Sequence, residues 1–187
     1  MNDVLAAAVE VQSFLQEKQW TFCIIGGIAL GRWGQPRTTV DVDVTLLTGF
    51  RDEVNYVDQL LARFRPRRND AKEFALRNRV LLLQASNDIG LDIALGGLPF
   101  EERLTRRASF HDFGGGVSLR TASANDMVIL KAFAARPQDW IDVEGILIRQ
   151  GSTLDWDLIV SELSPLCELK ESPETVERLL AMRDQIQ

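Results

Sequence analysis

Phe22-Cys-Ile-Ile-Gly-Gly27 and, thirteen residues further on, Asp41-Val-Asp-Val44 are the stretches on which the fold turns. The apolar run Phe22 to Ile25 is too short for a helix and is cut by two glycines, so it reads as a buried strand. Ile28 to Trp33 then reads as a short helix ending at Gly34, with Pro36 blocking its continuation. Val40 to Leu47 alternates: Val40, Val42 and Val44 share one face, and Asp41, Asp43 and Thr45 share the other. Two carboxylates on the same side of one strand repel each other, and burying them unpaired is costly. A divalent cation is the usual compensation. Carboxylate oxygens with no soft ligand nearby suit Mg2+ or Mn2+.

Asp92 offers a third carboxylate. It interrupts the apolar set Leu91, Ile93 and Leu95 against local strand propensity, and such violations gather at functional sites. Asp88, in the turn just before, is the alternative third acid. Three converging strand carboxylates can hold two metals that orient a nucleoside triphosphate and activate an attacking oxygen. Gly26-Gly27, between strand and helix, lets a triphosphate approach backbone N–H groups at the helix start. Arg37 and Thr39 share the parity of Asp41 and Asp43. If the strand begins early they line the same face, Arg37 to pair with phosphate oxygens and Thr39 to donate a hydrogen bond.

Outward from this centre, helical spacing marks Asp3 to Gln19, Asp52 to Phe64 and Pro99 to Arg107. Arg79 to Ala85 and Leu91 to Leu95 read as strands joined by a hairpin-like turn, with Arg65 to Asp70 a loop. Ala108 to Phe113 and Val117 to Arg120 flank Gly114-Gly-Gly116 as a second hairpin, where the glycines suit a turn better than a phosphate cradle. Then the character changes: Ser123 to Ala135, Asp139 to Gln150, Asp155 to Leu163 and Pro173 to Gln187 are all helical. Strands mixed with helices, followed only by helices, predict an α+β fold. The expected division is an α/β core over residues 1–120 and a helical region over 121–187 packed on it.

Composition narrows the class. The 187 residues are 45% apolar and 26% charged with a formal net charge of −6, which is ordinary globular composition. Cys23 and Cys167 both lie in apolar surroundings and read as reduced core thiols, not as a secreted disulfide scaffold. The longest apolar stretch, Phe22 to Leu30, falls short of the ~20 residues that a bilayer span needs. Met1-Asn-Asp-Val4 lacks the basic start of a signal peptide, so the expectation is a cytoplasmic protein with no membrane partner. Charge is uneven: Arg63 to Arg79 holds seven basic residues against two acids, while Asp139 to the end holds eleven acids against four bases. A basic segment of this kind is a candidate polyanion contact.

Ile25-Gly-Gly27, Asp41-Val-Asp43-Val44 and Leu91-Asp92-Ile93 together resemble the three-part pattern of the DNA polymerase beta-like nucleotidyltransferase superfamily. Within it, Gly26-Gly27-Ile-Ala-Leu30 with Arg37-Thr-Thr39-Val-Asp41-Val-Asp43 resembles the AbiEii-type branch of bacterial toxin nucleotidyltransferases. Lys131-Ala-Phe-Ala-Ala-Arg136-Pro-Gln-Asp139-Trp-Ile-Asp142 matches that branch's helical Lys and downstream Arg/Asp cluster, departing at Pro137, where a basic residue is expected. The resemblance covers about Phe22 to Gln150. It implies a nucleotidyltransferase-type mixed sheet with flanking helices, two Mg2+ ions, and transfer of a nucleoside monophosphate from ATP, GTP, CTP or UTP with release of pyrophosphate. Asp41, Asp43 and Asp92 would hold the metals, with Asp92 also assisting deprotonation of the acceptor hydroxyl. Gly26, Gly27, Arg37, Thr39 and Lys131 would meet the nucleotide, and Asp139 and Asp142 would complete its pocket or orient Lys131.

The expected acceptor is RNA, tRNA first, reached through the Arg63 to Arg79 segment, or a protein hydroxyl; a toxin of this type implies a cognate antitoxin. The competing enzyme reading is nucleotidylation of a small molecule such as an antibiotic, and the non-enzyme reading is a binding protein that keeps the fold. His111, the sole histidine, has no partner cluster in the sequence and is set aside as base or ligand. Trp140 reads as core packing, with the border of a nucleotide base as the alternative.

Overall fold

The computed structural model describes residues 2–186. Met1 of the N-terminal tetrapeptide and Gln187, at the end of the last expected helix, lie outside the described residues. Seven strands are β1 (Phe22–Ile24), β2 (Asp41–Leu47), β3 (Arg65–Pro66), β4 (Val80–Gln84), β5 (Gly90–Gly96), β6 (Ser109–Asp112) and β7 (Ser118–Thr121). They form one mixed sheet in the order β3-β4-β5-β2-β1-β7-β6, parallel at β2·β5 and β1·β7 and antiparallel elsewhere. The helices are α1 (Asp3–Glu17), α2 (Gly26–Trp33), α3 (Glu53–Arg63), α4 (Ala71–Asn78), α5 (Pro99–Arg107), α6 (Ala124–Ala134), α7 (Pro137–Gln150), α8 (Trp156–Leu169) and α9 (Glu174–Ile186). None of the described helices is long and apolar enough to cross a membrane.

The chain forms two compact units, one from residues up to Ile28 with Thr38–Ala122, the other from Ala29–Arg37 with Ser123 onward. In the first, Val42, Val44 and Leu46 of β2 and Leu91, Ile93 and Leu95 of β5 are buried with Leu81 and Leu83 of β4. They pack with Ala7, Ala8, Val11 and Leu15 of α1 and with Val57, Leu60, Ala71 and Ala75 of α3 and α4. Each fully buried Leu, Ile or Val contributes roughly 1.5–3 kcal/mol. Because side chains alternate along a strand, committing the aliphatic set to this core turns Asp41, Asp43 and Asp92 to the opposite face.

In the second unit, Met127, Val128, Ile129 and Ala132 of α6 are buried, as are Val143, Ile146 and Leu147 of α7 and Ile159 and Leu163 of α8. Residues 29–37 are tied here by main-chain acceptors: Arg149 donates to the Gly34 carbonyl and Gln150 to that of Trp33, both at 2.7 Å. Gly145 permits the approach, since a Cβ there would stand 3.2 Å from the Gln35 nitrogen.

The structure departs from the sequence reading at four places. Helix α2 starts at Gly26, so both glycines lie in its first turn. Strand β2 starts at Asp41, where pairing with Gly90 begins, which leaves Arg37 and Thr39 in the preceding loop and not on the strand face. Residues 65–70 include the short edge strand β3 and lead into α4, which buries only Ala71 and Ala75 and so shows almost no readable period. Helix α8 continues through Pro165 to Leu169. The buried Leu166 and Cys167 outweigh the lost N–H donor.

Candidate active site

Strand pairing builds the carboxylate site of the first unit. In the parallel β2·β5 register Asp43 lies opposite Asp92 and Asp41 opposite Gly90, so all three acids project from one face of two adjacent central strands. All three are half-buried. The Ile25 N–H donates to the Asp43 carbonyl at 2.9 Å, bringing the β1–α2 turn beside β2. Gly26 adopts φ +60°, and a Cβ there would fall 1.9 Å from Asp43 Oδ2. A Cβ on Gly27 would fall 2.4 Å from Thr39 Oγ1. Thr39 in turn donates its hydroxyl to Asp41, to the carbonyl at 3.2 Å or to Oδ1 at 3.3 Å. The glycine pair therefore does two jobs, freeing backbone N–H groups at a helix start and leaving room for an acid and a hydroxyl directly beside it.

Gly26→Ala adds a left-handed strain of about 1–2 kcal/mol to that collision. It is expected to displace the Asp43 carboxylate, lower the urea midpoint and reduce nucleotidyl transfer at least about tenfold, a loss equal to about 1.4 kcal/mol of barrier. Steady-state rates at matched folded fraction check this.

Donor chemistry and strand register fit a hard divalent cation: all three donors are carboxylates, and like charges this close call for a positive partner. Burial pushes the Asp92 carboxyl above its ordinary value, Arg67 opposes that, and the Asp41 charge adds to it. Among the described residues no group of three His, Cys, Asp or Glu side chains is ready-arranged around a metal position. Asp92 is ion-paired with Arg67. Asp88 sits in the β4–β5 turn, paired with Arg65, and is not opposite Asp43.

A second cluster forms inside the other unit. Lys131 Nζ is buried on α6, 3.0 Å from Asp139 Oδ1 and 2.8 Å from Asp142 Oδ2, the latter an ion pair without hydrogen-bond alignment. Arg37 Nε lies 3.4 Å from Asp142 Oδ1. Asp139 caps the start of α7 by accepting from the Arg136 N–H and also takes the Arg136 guanidinium at 2.7 Å. Burial works to raise the Asp139 carboxyl, but hydrogen bonds and charge from Lys131 and Arg136 together hold it below its ordinary value. Trp140 is buried with Arg178 stacked 4.2 Å over its ring, which is core packing. The expected nucleotide residues are thus distributed: Gly26, Gly27 and Thr39 stand with Asp41, Asp43 and Asp92, while Arg37 and Lys131 stand with Asp139 and Asp142.

The basic segment is largely engaged. Arg63 pairs with Glu10, Arg65 with Asp88, Arg67 with Asp92, Arg68 with Asp70, Lys72 with Asp58 and Arg79 with Glu53. Sequence reasoning placed Arg67 in this segment as an acceptor contact and missed its position at the carboxylates. No local signal marks it, because the β3-β4-β5 pairing alone brings it there.

This sheet, with its carboxylate pair beside a glycine turn, is a nucleotidyltransferase fold. A crystal structure of an antigenic nucleotidyltransferase-like protein from Paracoccidioides brasiliensis superposes with a TM-score of 0.52 at 15% identity, covering 96% of this chain and 94% of that one. The solution structure of the antibiotic-resistance factor ANT(2'')-Ia overlaps with a TM-score of 0.49 at 17% identity, covering 97% and 91%. No curated protein matches the chain. The family described as Nucleotidyl transferase AbiEii toxin, Type IV TA system, matches residues 11–164, and the chain belongs to it. The protein is a nucleotidyltransferase enzyme.

Proposed function

We propose that this enzyme moves a nucleoside monophosphate from an NTP to a hydroxyl of RNA, tRNA first, or of a protein, in the cytoplasm and under the control of a cognate antitoxin. The observation that carries the reading is Asp43 opposite Asp92, with Asp41 on the same face, against the Gly26–Gly27 helix start. Asp41, Asp43 and Asp92 would hold two Mg2+ ions, with Mn2+ a substitute. When bound, these ions would neutralise triphosphate charge and acidify the attacking hydroxyl. Asp92, whose carboxyl is already raised by burial, accepts the acceptor's proton. The acceptor oxygen then bonds to the α-phosphorus as the bond to pyrophosphate breaks. Backbone N–H groups at Gly26 and Gly27 bind phosphate, and Thr39 orients Asp41. In the second unit Lys131, held by Asp139 and Asp142 with Arg37 beside Asp142, is the cation that the family pattern assigns to nucleotide binding.

The ion pairing along Arg63 to Arg79 favours a second reading, a small-molecule hydroxyl as acceptor, because little of that charge is spare for a polyanion. The test is label transfer from each α-labelled NTP with Mg2+ into whole-cell RNA, protein and an aminoglycoside panel. Label in RNA or protein supports the first reading and names the nucleotide; label only in the small molecule supports the second. No label in any acceptor from a folded enzyme overturns both. If RNA is the acceptor through this segment, Arg68→Glu with Arg77→Glu is expected to weaken RNA use at least about threefold at low salt while KM for NTP stays unchanged, since phosphate contacts carry the salt-dependent part of binding.

A further inference from the structure

Among the arginines of the basic segment, Arg67 has a position the others lack. Its backbone N–H donates to the Leu82 carbonyl at 3.0 Å, and Leu82 is itself the strand partner of Asp92. The ladder thus places Arg67 in one row with Asp92, a full strand away, a gap that a long side chain can span. The guanidinium crosses β4 and pairs with Asp92. It also lies over Gly90: a Cβ at that residue would stand 3.1 Å from Arg67 Nη1 and 3.6 Å from Asp41 Cβ. Gly90 is the residue opposite Asp41, so its missing side chain leaves the space beside β2 in which the guanidinium reaches Asp92.

We propose that Arg67 is the resident counter-cation of the carboxylate site: it holds Asp92 in the metal-free protein, a divalent ion must displace it, and Arg67 thereby sets the metal affinity. This rests on the assignment of Asp41, Asp43 and Asp92 as metal ligands made above. A guanidinium pairs with a carboxylate through the same oxygen lone pairs that a hard cation needs, so the two compete for Asp92. Exchange is open to solvent, since each side chain of the pair keeps 30% of its surface exposed. The two variants that isolate the effect are Arg67→Met, which keeps the aliphatic stem and loses the charge, and Gly90→Ala, whose methyl group crowds the guanidinium without touching its charge.

The experiment is calorimetric titration of the full chain with Mn2+ alone, without nucleotide, on wild type, Arg67→Met, Gly90→Ala, Asp43→Ala and the double variant Arg67→Met/Asp92→Asn. Arg67→Met is expected to bind Mn2+ at least about fivefold tighter than wild type, close to 1 kcal/mol by the affinity relation. Gly90→Ala is expected to shift in the same direction, and Asp92→Asn to cancel the gain. Affinity unchanged or weakened in both Arg67→Met and Gly90→Ala, while Asp43→Ala still loses Mn2+ binding, overturns the role of Arg67 and leaves the metal site standing. Mn2+ binding that survives in Asp43→Ala, or is absent from wild type, overturns the ligand assignment itself and this inference with it.

Discussion

Asp43→Ala is expected to reduce nucleotidyl transfer at least about 10^3-fold, which corresponds to roughly 4 kcal/mol of lost barrier lowering. Asp43 is the acid that both faces Asp92 across the parallel pair and rests against Gly26 at the helix start. On the proposed reading, removing its carboxylate takes away one donor for the cation, while the main-chain bond from the Ile25 N–H to the residue 43 carbonyl keeps the glycine turn beside the strand. Metal and preorganised charge are commonly worth several kcal/mol in such a reaction. Folding is expected to suffer little, because Asp43 is half-buried and its loss relieves repulsion from neighbouring acids. The pair of readouts is transfer rate and urea midpoint. A variant that keeps more than a tenth of wild-type activity would show that the reaction centre lies elsewhere.

Lys131→Met carries the largest expected cost in stability. Asp139 and Asp142 are 3% and 5% exposed, and Lys131, itself 9% exposed, reaches both. Breaking a buried pair by deleting one partner typically costs about 3–5 kcal/mol, since the remaining charge has lost its compensation. Arg136 and Arg37 each stay near one of the acids, which places the expectation at the lower end, about 3 kcal/mol. A lysine that served only as a mobile surface charge would change the urea midpoint hardly at all. The pH dependence gives a second readout. Asp139 is held below its unfolded value, so its contribution is present above about pH 4 and is lost as acid titrates the folded carboxylate. In Lys131→Met that acid-dependent part of the unfolding free energy is expected to shrink. Urea titrations at pH 7 and pH 3 measure it.

How far each element was legible follows from the range of the interactions that make it. The strand Asp41–Leu47 and the strand around Asp92 were readable because a two-residue alternation is a local signal and an acid inside an aliphatic run is conspicuous. Helix α4 was not readable, since eight residues with two buried alanines carry almost no periodic signal. Pro165 hid the last turn of α8, whose buried residues prevail over the local preference. Lys131, Asp139 and Asp142 were named together from the family pattern, but the direction of their interaction, two acids closing on one buried ammonium, is a packing result.

The sequence by itself determined the α+β class, the acids on one strand face, the glycine pair beside them and membership of a nucleotidyltransferase family, because each rests on residue type at short spacing. Only the tertiary structure decided that Asp43 faces Asp92 while Asp88 faces Arg65, that Arg37 joins Asp142 in place of the strand face, and that Arg67 pairs with Asp92. The first and last of these depend on which strands become neighbours and in what register, since a one-residue shift would turn Asp43 or Asp92 to the other face. The pairing of Arg37 with Asp142 depends on helix packing.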